Sequence, residues 1–112
     1  MKHLHALSLL TNSEEPNTTE YAFKTTWDTV IDAAIVCATS GGKKIPYGSV
    51  ATDDDGGLRI EWRRETDHVR LVVKASEMSK SYIYHEFAGD KNGVDRVSPE
   101  NLARHLLRLY NP

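Results

Sequence analysis

The sequence predicts an α+β domain in two layers: an antiparallel β-meander of three or four strands, with an N-terminal and a C-terminal helix packed on one face. Three observations carry this expectation. Trp27, Val30, Ile31, Ala34, Ile35 and Ala38 recur at helical spacing, the signature of a helix with one apolar stripe. Leu58, Ile60 and Trp62, and then Val69, Leu71 and Val73, recur at every second position, as in strands with one buried face. The chain closes on SPENLARHLLRLY, whose Leu102, Ala103, Leu106, Leu107 and Tyr110 form a second helical stripe. Two amphipathic helices and a one-faced sheet bury one another most simply as two layers.

Residues 1–24 read as an arm or linker, because MKHLHALSLL leads into TNSEEPNTTE, which is rich in turn formers. A single domain is expected over 25–112. In its first helix Thr25 or Thr26 serves as N-cap, Asp28 suits the first turn, and Gly41-Gly42 supplies the stop. Pro46 lacks a backbone donor and so confines 47–52 to a short or edge strand.

DDDGGLRIEWRR comes next and raises the question of a cation loop. An EF-hand needs glycine at its sixth place and glutamate at its twelfth. Setting Gly56 at the sixth place puts Trp62 at the twelfth, and setting Gly57 there puts Arg63, so both registers fail. Asp-Gly-Gly between two strand patterns reads instead as a hairpin turn that needs positive φ, with a looser site on Asp53, Asp54 and Asp55 as the alternative. Of the later strands, HVRLVVKA repeats the alternation, whereas SYIYHEF is ambiguous: either Ile83, His85 and Phe87 point inward, or Tyr82 and Tyr84 do. GDKNGVDRV reads as turns around Gly89 and Gly93. The last helix takes Ser98 as cap, Pro99 at its first position and Glu100 in its first turn.

At 112 residues, with 39% hydrophobic and 27% charged residues, the chain can bury one core and is not of disordered composition. A net charge of −2 gives no global attraction to nucleic acid or an anionic membrane. No apolar run approaches bilayer-spanning length, and the N-terminus lacks a secretion signal's apolar run and cleavage site. The single cysteine, Cys37, cannot form an internal disulfide, so a reducing cytoplasm is the expected compartment.

Catalytic and metal motifs are hard to find. Neither a nucleophile elbow nor a phosphate-cradling loop occurs, and Gly41-Gly42-Lys43-Lys44 follows a helix instead of opening one. Cys37 lies mid-helix with nothing to lower its pKa. Asp28 and Asp32 read as solvated helix acids. His3 and His5 supply two ligands on an arm, and His68, His85 and His105 fall on separate elements without ligand spacing. The expectation is no enzyme, no cofactor and no metal.

The outward sheet face holds more promise. Arg59 and Arg63 adjoin Arg70 and Lys74 on the next strand, with Tyr82 and Tyr84 added if the following strand turns them outward. Arginine and tyrosine are enriched among interface anchors, so an unidentified protein partner is the leading expectation. The same residues suit single-stranded nucleic acid, where bases stack on aromatics; the chain's acidity weighs against it. A homodimer through this face or the 47–52 edge is a third reading, and a solvated face balanced by Glu61 and Glu86 is the plain alternative.

Pro46, then Asp55-Gly56-Gly57-Leu58-Arg59-Ile60-Glu61-Trp62, then SYIYHEF and the Leu-Ala-x-x-Leu of the last helix, resemble a group of short uncharacterised bacterial proteins. These share the run Gly-Gly-(Ile/Leu)-x-(Leu/Ile)-Glu-Trp. The resemblance covers about residues 27 to 110. It implies the fold and a bacterial origin, not an activity or a mechanism; an antitoxin or mobile-element association is a further expectation for a regulatory module and is not carried by the resemblance. A Gly-Trp-Asp-rich segment common in the group is echoed here only by Trp27-Asp28.

Overall fold

A computed structural model describes residues 18–89 and 92–110. Helix α1 (Glu20–Gly41) leads into β1 (Ser49–Thr52), β2 (Leu58–Arg64), β3 (Asp67–Val73), β4 (Tyr82–Glu86) and β5 (Gly93–Asp95), and α2 (Pro99–Tyr110) follows. The strands form one antiparallel sheet in the order β1-β2-β3-β4-β5. Both helices pack on each other and on the same sheet face. The α+β meander between two helices is thus as the sequence predicts, with one more strand. β5 falls where the sequence reads as turns, because its three residues are too few to show an alternation. Among the described residues, no helix is long and apolar enough to cross a membrane.

Register explains the core. Leu58 faces Val73, Ile60 faces Leu71 and Trp62 faces Val69, and Leu71 in turn faces Ile83. These residues share one side of the sheet and meet Leu102, Ala103, Leu106 and Leu109 of α2. Trp62 is 1% exposed, and its indole N–H donates to the Pro46 carbonyl at 3.1 Å. The ring approaches so closely that a Cβ on Gly48 would lie 2.9 Å from it. The α2 cap is the expected one: Ser98 Oγ accepts the Asn101 amide at 3.0 Å.

The first helix departs from expectation in two ways. It starts at Glu20 with Thr19 as its cap, so residues 19–24 belong to the folded domain and not to an arm; residues 1–17 of the expected arm lie outside the described residues. Its cap is Thr19, neither Thr25 nor Thr26, and Thr26 is fully buried. The buried stripe is also rotated. It runs through Ala22, Thr26, Thr29, Val30, Ala33 and Cys37, whereas Trp27 and Ile31 flank it and Ile35 is 54% exposed. Small residues let the helix lie close to its neighbours, and the large apolar ones that dominate the sequence pattern are left at the margins.

Thr19 also answers what the acidic glycine stretch is for. The turn closes through Gly56 N–H to Asp53 O at 3.0 Å and Asp53 N–H to Gly57 O at 2.9 Å, with Gly56 at φ 96. Asp55 accepts the Gly57 amide at 3.2 Å and Asp53 pairs with Arg59 at 2.9 Å. It is a hairpin turn, and two of its three carboxylates serve the hairpin itself. The Thr19 amide donates to the turn's Gly56 carbonyl at 3.0 Å, and its hydroxyl donates to Ala75 O at 2.6 Å. That hydroxyl also accepts the Ala22 amide at 3.1 Å. Thr19→Ala should therefore cost more than a typical cap, about 2 kcal/mol at the upper end of the measured range, read as a lowered urea midpoint with unchanged slope.

Candidate binding face

Inward placement of Ile83 and Phe87 settles the facing of β4: Tyr82 and Tyr84 point outward. The outer face is built in cross-strand rows. Glu61 pairs with Arg70, which pairs with Tyr84, which pairs with Val94. Arg59 pairs with Val72 and Val72 with Tyr82; Arg63 pairs with His68 and His68 with Glu86. Lys74, just past the end of β3, keeps the phase of Arg70 and Val72. All six residues singled out from the sequence, Arg59, Arg63, Arg70, Lys74, Tyr82 and Tyr84, thus lie on this one face.

Their side chains are organised around Glu61. Arg70 grips its Oε2 through Nη2 at 2.8 Å and Nε at 3.1 Å. Arg63 approaches both oxygens, at 3.0 and 3.3 Å. The Arg70 guanidinium lies 5.8 Å from the Tyr84 ring centre, and Lys74 Nζ lies 5.9 Å from that of Tyr82, both within cation–π range. Tyr84 donates its hydroxyl to Glu86 at 2.8 Å. Arg59 is drawn aside to Asp53. The cations therefore do not merge into one basic track, because Glu61 takes two of them and Asp53 a third. Val72, only 2% exposed, forms an apolar floor between Arg59 and Tyr82, while Val94 is 64% exposed beside Tyr84.

Burial alone would raise the Glu61 pKa, but hydrogen bonds from Arg70 and Arg63, and their charges, outweigh it and hold the carboxyl below its ordinary value. A depressed folded-state pKa contributes stability above the unfolded value and loses it as pH falls through the folded one. The network should be at full strength above about pH 4.5, the ordinary glutamate value, and weaken below it. Glu61→Gln should flatten this acid limb in urea melts taken across the range. An unchanged limb would show that Glu61 is not its source.

On the opposite side, where β4, β5 and α2 meet, the structure brings together residues that sequence reasoning kept apart. His85 Nε2 lies 3.6 Å from Asp95 Oδ2, and His105 Nε2 contacts the same oxygen directly. The two imidazoles stack at 4.1 Å. Donor atoms of the three residues lie within 4.8 Å of one another, a grouping able to hold a metal ion. The signal missed was β5: without it Asp95 has no assigned place beside His85. Cys37, by contrast, is buried in the core, and burial pushes its thiol pKa up.

Comparisons with protein-family models, with curated proteins and with solved structures gave no match.

Proposed function

We propose that this domain is a small non-catalytic regulatory module that binds a protein partner through the outer face of its sheet. One observation carries the reading. Both helices lie on the other side, and the face they leave uncovered presents arginines and tyrosines already held in place by hydrogen bonds and ring contacts. Preorganised side chains lose less entropy on binding, and arginine and tyrosine are the usual energetic anchors of interfaces. Val94, 64% exposed beside Tyr84, adds apolar area next to these anchors. Neutralisation by Glu61 and Asp53 favours a protein over nucleic acid, which requires a clustered basic footprint. A buried cysteine outside any disulfide suits a reducing cytoplasm.

The test is capture of partners from host lysate by the tagged chain, with and without nuclease, beside a variant carrying Arg70→Ala and Tyr84→Ala. A stoichiometric protein that survives nuclease and is missing from the variant's eluate is the expected result. Recovery abolished by nuclease would replace this reading with the nucleic-acid one. A captured protein indifferent to both substitutions would move the interface elsewhere.

A further inference from the structure

We propose that His85, Asp95 and His105 form a site for a divalent transition-metal ion of the zinc class. The site belongs to the fold and not to any local motif, since β4 supplies His85, β5 supplies Asp95 and α2 supplies His105. Zinc holds imidazole nitrogen and carboxylate oxygen at about 2.0–2.2 Å, which in a tetrahedron sets neighbouring donors roughly 3.3 Å apart. His85 Nε2 and Asp95 Oδ2, at 3.6 Å, are near that spacing. His105 Nε2, now hydrogen-bonded to the same oxygen, completes the triangle by opening that contact to admit the ion.

Several features prepare the place. Gly93 faces His85 across the β4–β5 pair, and a Cβ there would lie 2.9 Å from His85 Nε2. Glycine thus leaves room at the coordinating nitrogen. Phe87, with its ring centre 6.1 Å from His85 and 6.3 Å from His105, supplies an apolar backing. The side chains of His85, Asp95 and His105 are 18%, 30% and 8% exposed, so an ion can enter and water can take the fourth position. Burial lowers the His105 pKa against the pull of Asp95, and Asp95 is held below the usual carboxylate range chiefly by its hydrogen bond with His105. Two imidazoles and one carboxylate suit zinc, nickel or copper, whereas magnesium and calcium prefer all-oxygen sites.

Arg104 works against this, because its Nη2 lies 3.3 Å from Asp95 Oδ2. With a side chain 63% exposed, it can turn to solvent when a cation replaces it. The bound ion would tie α2 to the last two strands, and because the folded chain alone assembles the site, binding adds to stability.

The experiment uses the full chain without a histidine tag, stripped by chelator and titrated with Co²⁺ and then Zn²⁺. Expected are one Co²⁺ per chain with the visible absorption of a low-coordinate site, its displacement by Zn²⁺, and a rise in Tm with Zn²⁺. Altering a neighbour that merely orients a ligand costs 10–100-fold in metal affinity. His85→Ala and the nearly isosteric Asp95→Asn should each cost at least about 10-fold, whereas His3→Ala with His5→Ala should leave the site intact. No Co²⁺ absorption in the parent chain overturns the proposal. So does absorption that persists in Asp95→Asn and His85→Ala but disappears when His3 and His5 are replaced. Either result would leave the cluster as a hydrogen-bonded link between helix and sheet.

Discussion

Trp62→Ala is expected to remove about 3–5 kcal/mol of stability, the range for deleting a large aromatic from a core. Domains of this kind are stable by only about 5–15 kcal/mol, so the variant should unfold at a much lower urea midpoint. Size alone does not explain the expectation. The indole is 1% exposed, sits opposite Val69 in the β2–β3 ladder, and also donates to the Pro46 carbonyl ahead of β1. Alanine there leaves both a cavity and a backbone acceptor without this donor. Trp62→Phe separates the two: it refills most of the volume but not the hydrogen bond, and should fall between the parent and Trp62→Ala. Equal losses for both variants would mean that the Pro46 bond, not packing, dominates.

The second large effect concerns binding. Once the partner is in hand, Arg70→Ala and Tyr84→Ala should each weaken it by about 2 kcal/mol or more, the threshold for an interface anchor, or roughly 30-fold in affinity. Both residues occupy the row that crosses the sheet from Glu61 to Val94, the centre of the face opposite the two helices. Arg59 and Arg63 lie on either side of that row with 46% and 60% of their side chains exposed. There solvent screens their charges, and their removal should cost less than about 1 kcal/mol. The check is calorimetry on the purified pair, with thermal melts of each variant to confirm that folding is unaffected. Effects of similar size at all four positions would instead indicate a diffuse electrostatic contact, with affinity falling steeply in salt.

Much of this architecture could be read in the sequence because period-2 alternation and its burial coincide in β2 and β3. Leu58, Ile60, Trp62, Val69, Leu71 and Val73 are all buried as their spacing requires. The outer-face residues followed by the same parity. The signal failed where size and burial part company. In α1 the pattern was weighted by Trp27, Ile31 and Ile35, but the packed residues are Ala22, Thr26, Ala33 and Cys37, whose value lies in being small. It failed again at β5, which is defined by its partner Tyr82–Glu86 and not by its own residues. The His85–Asp95–His105 cluster depends on that strand, and no spacing along the chain encodes it.

The most direct test of the binding-face account is site-specific photocrosslinking with a benzophenone side chain at Val94 or at Ile35. Both positions are exposed, at 64% and 54%, but Val94 stands on the outer sheet face and Ile35 on the helical layer. A partner crosslinked from Val94 and not from Ile35 is the predicted result. A crosslink from Ile35 alone would place the interface on the first helix and contradict the assignment to the sheet.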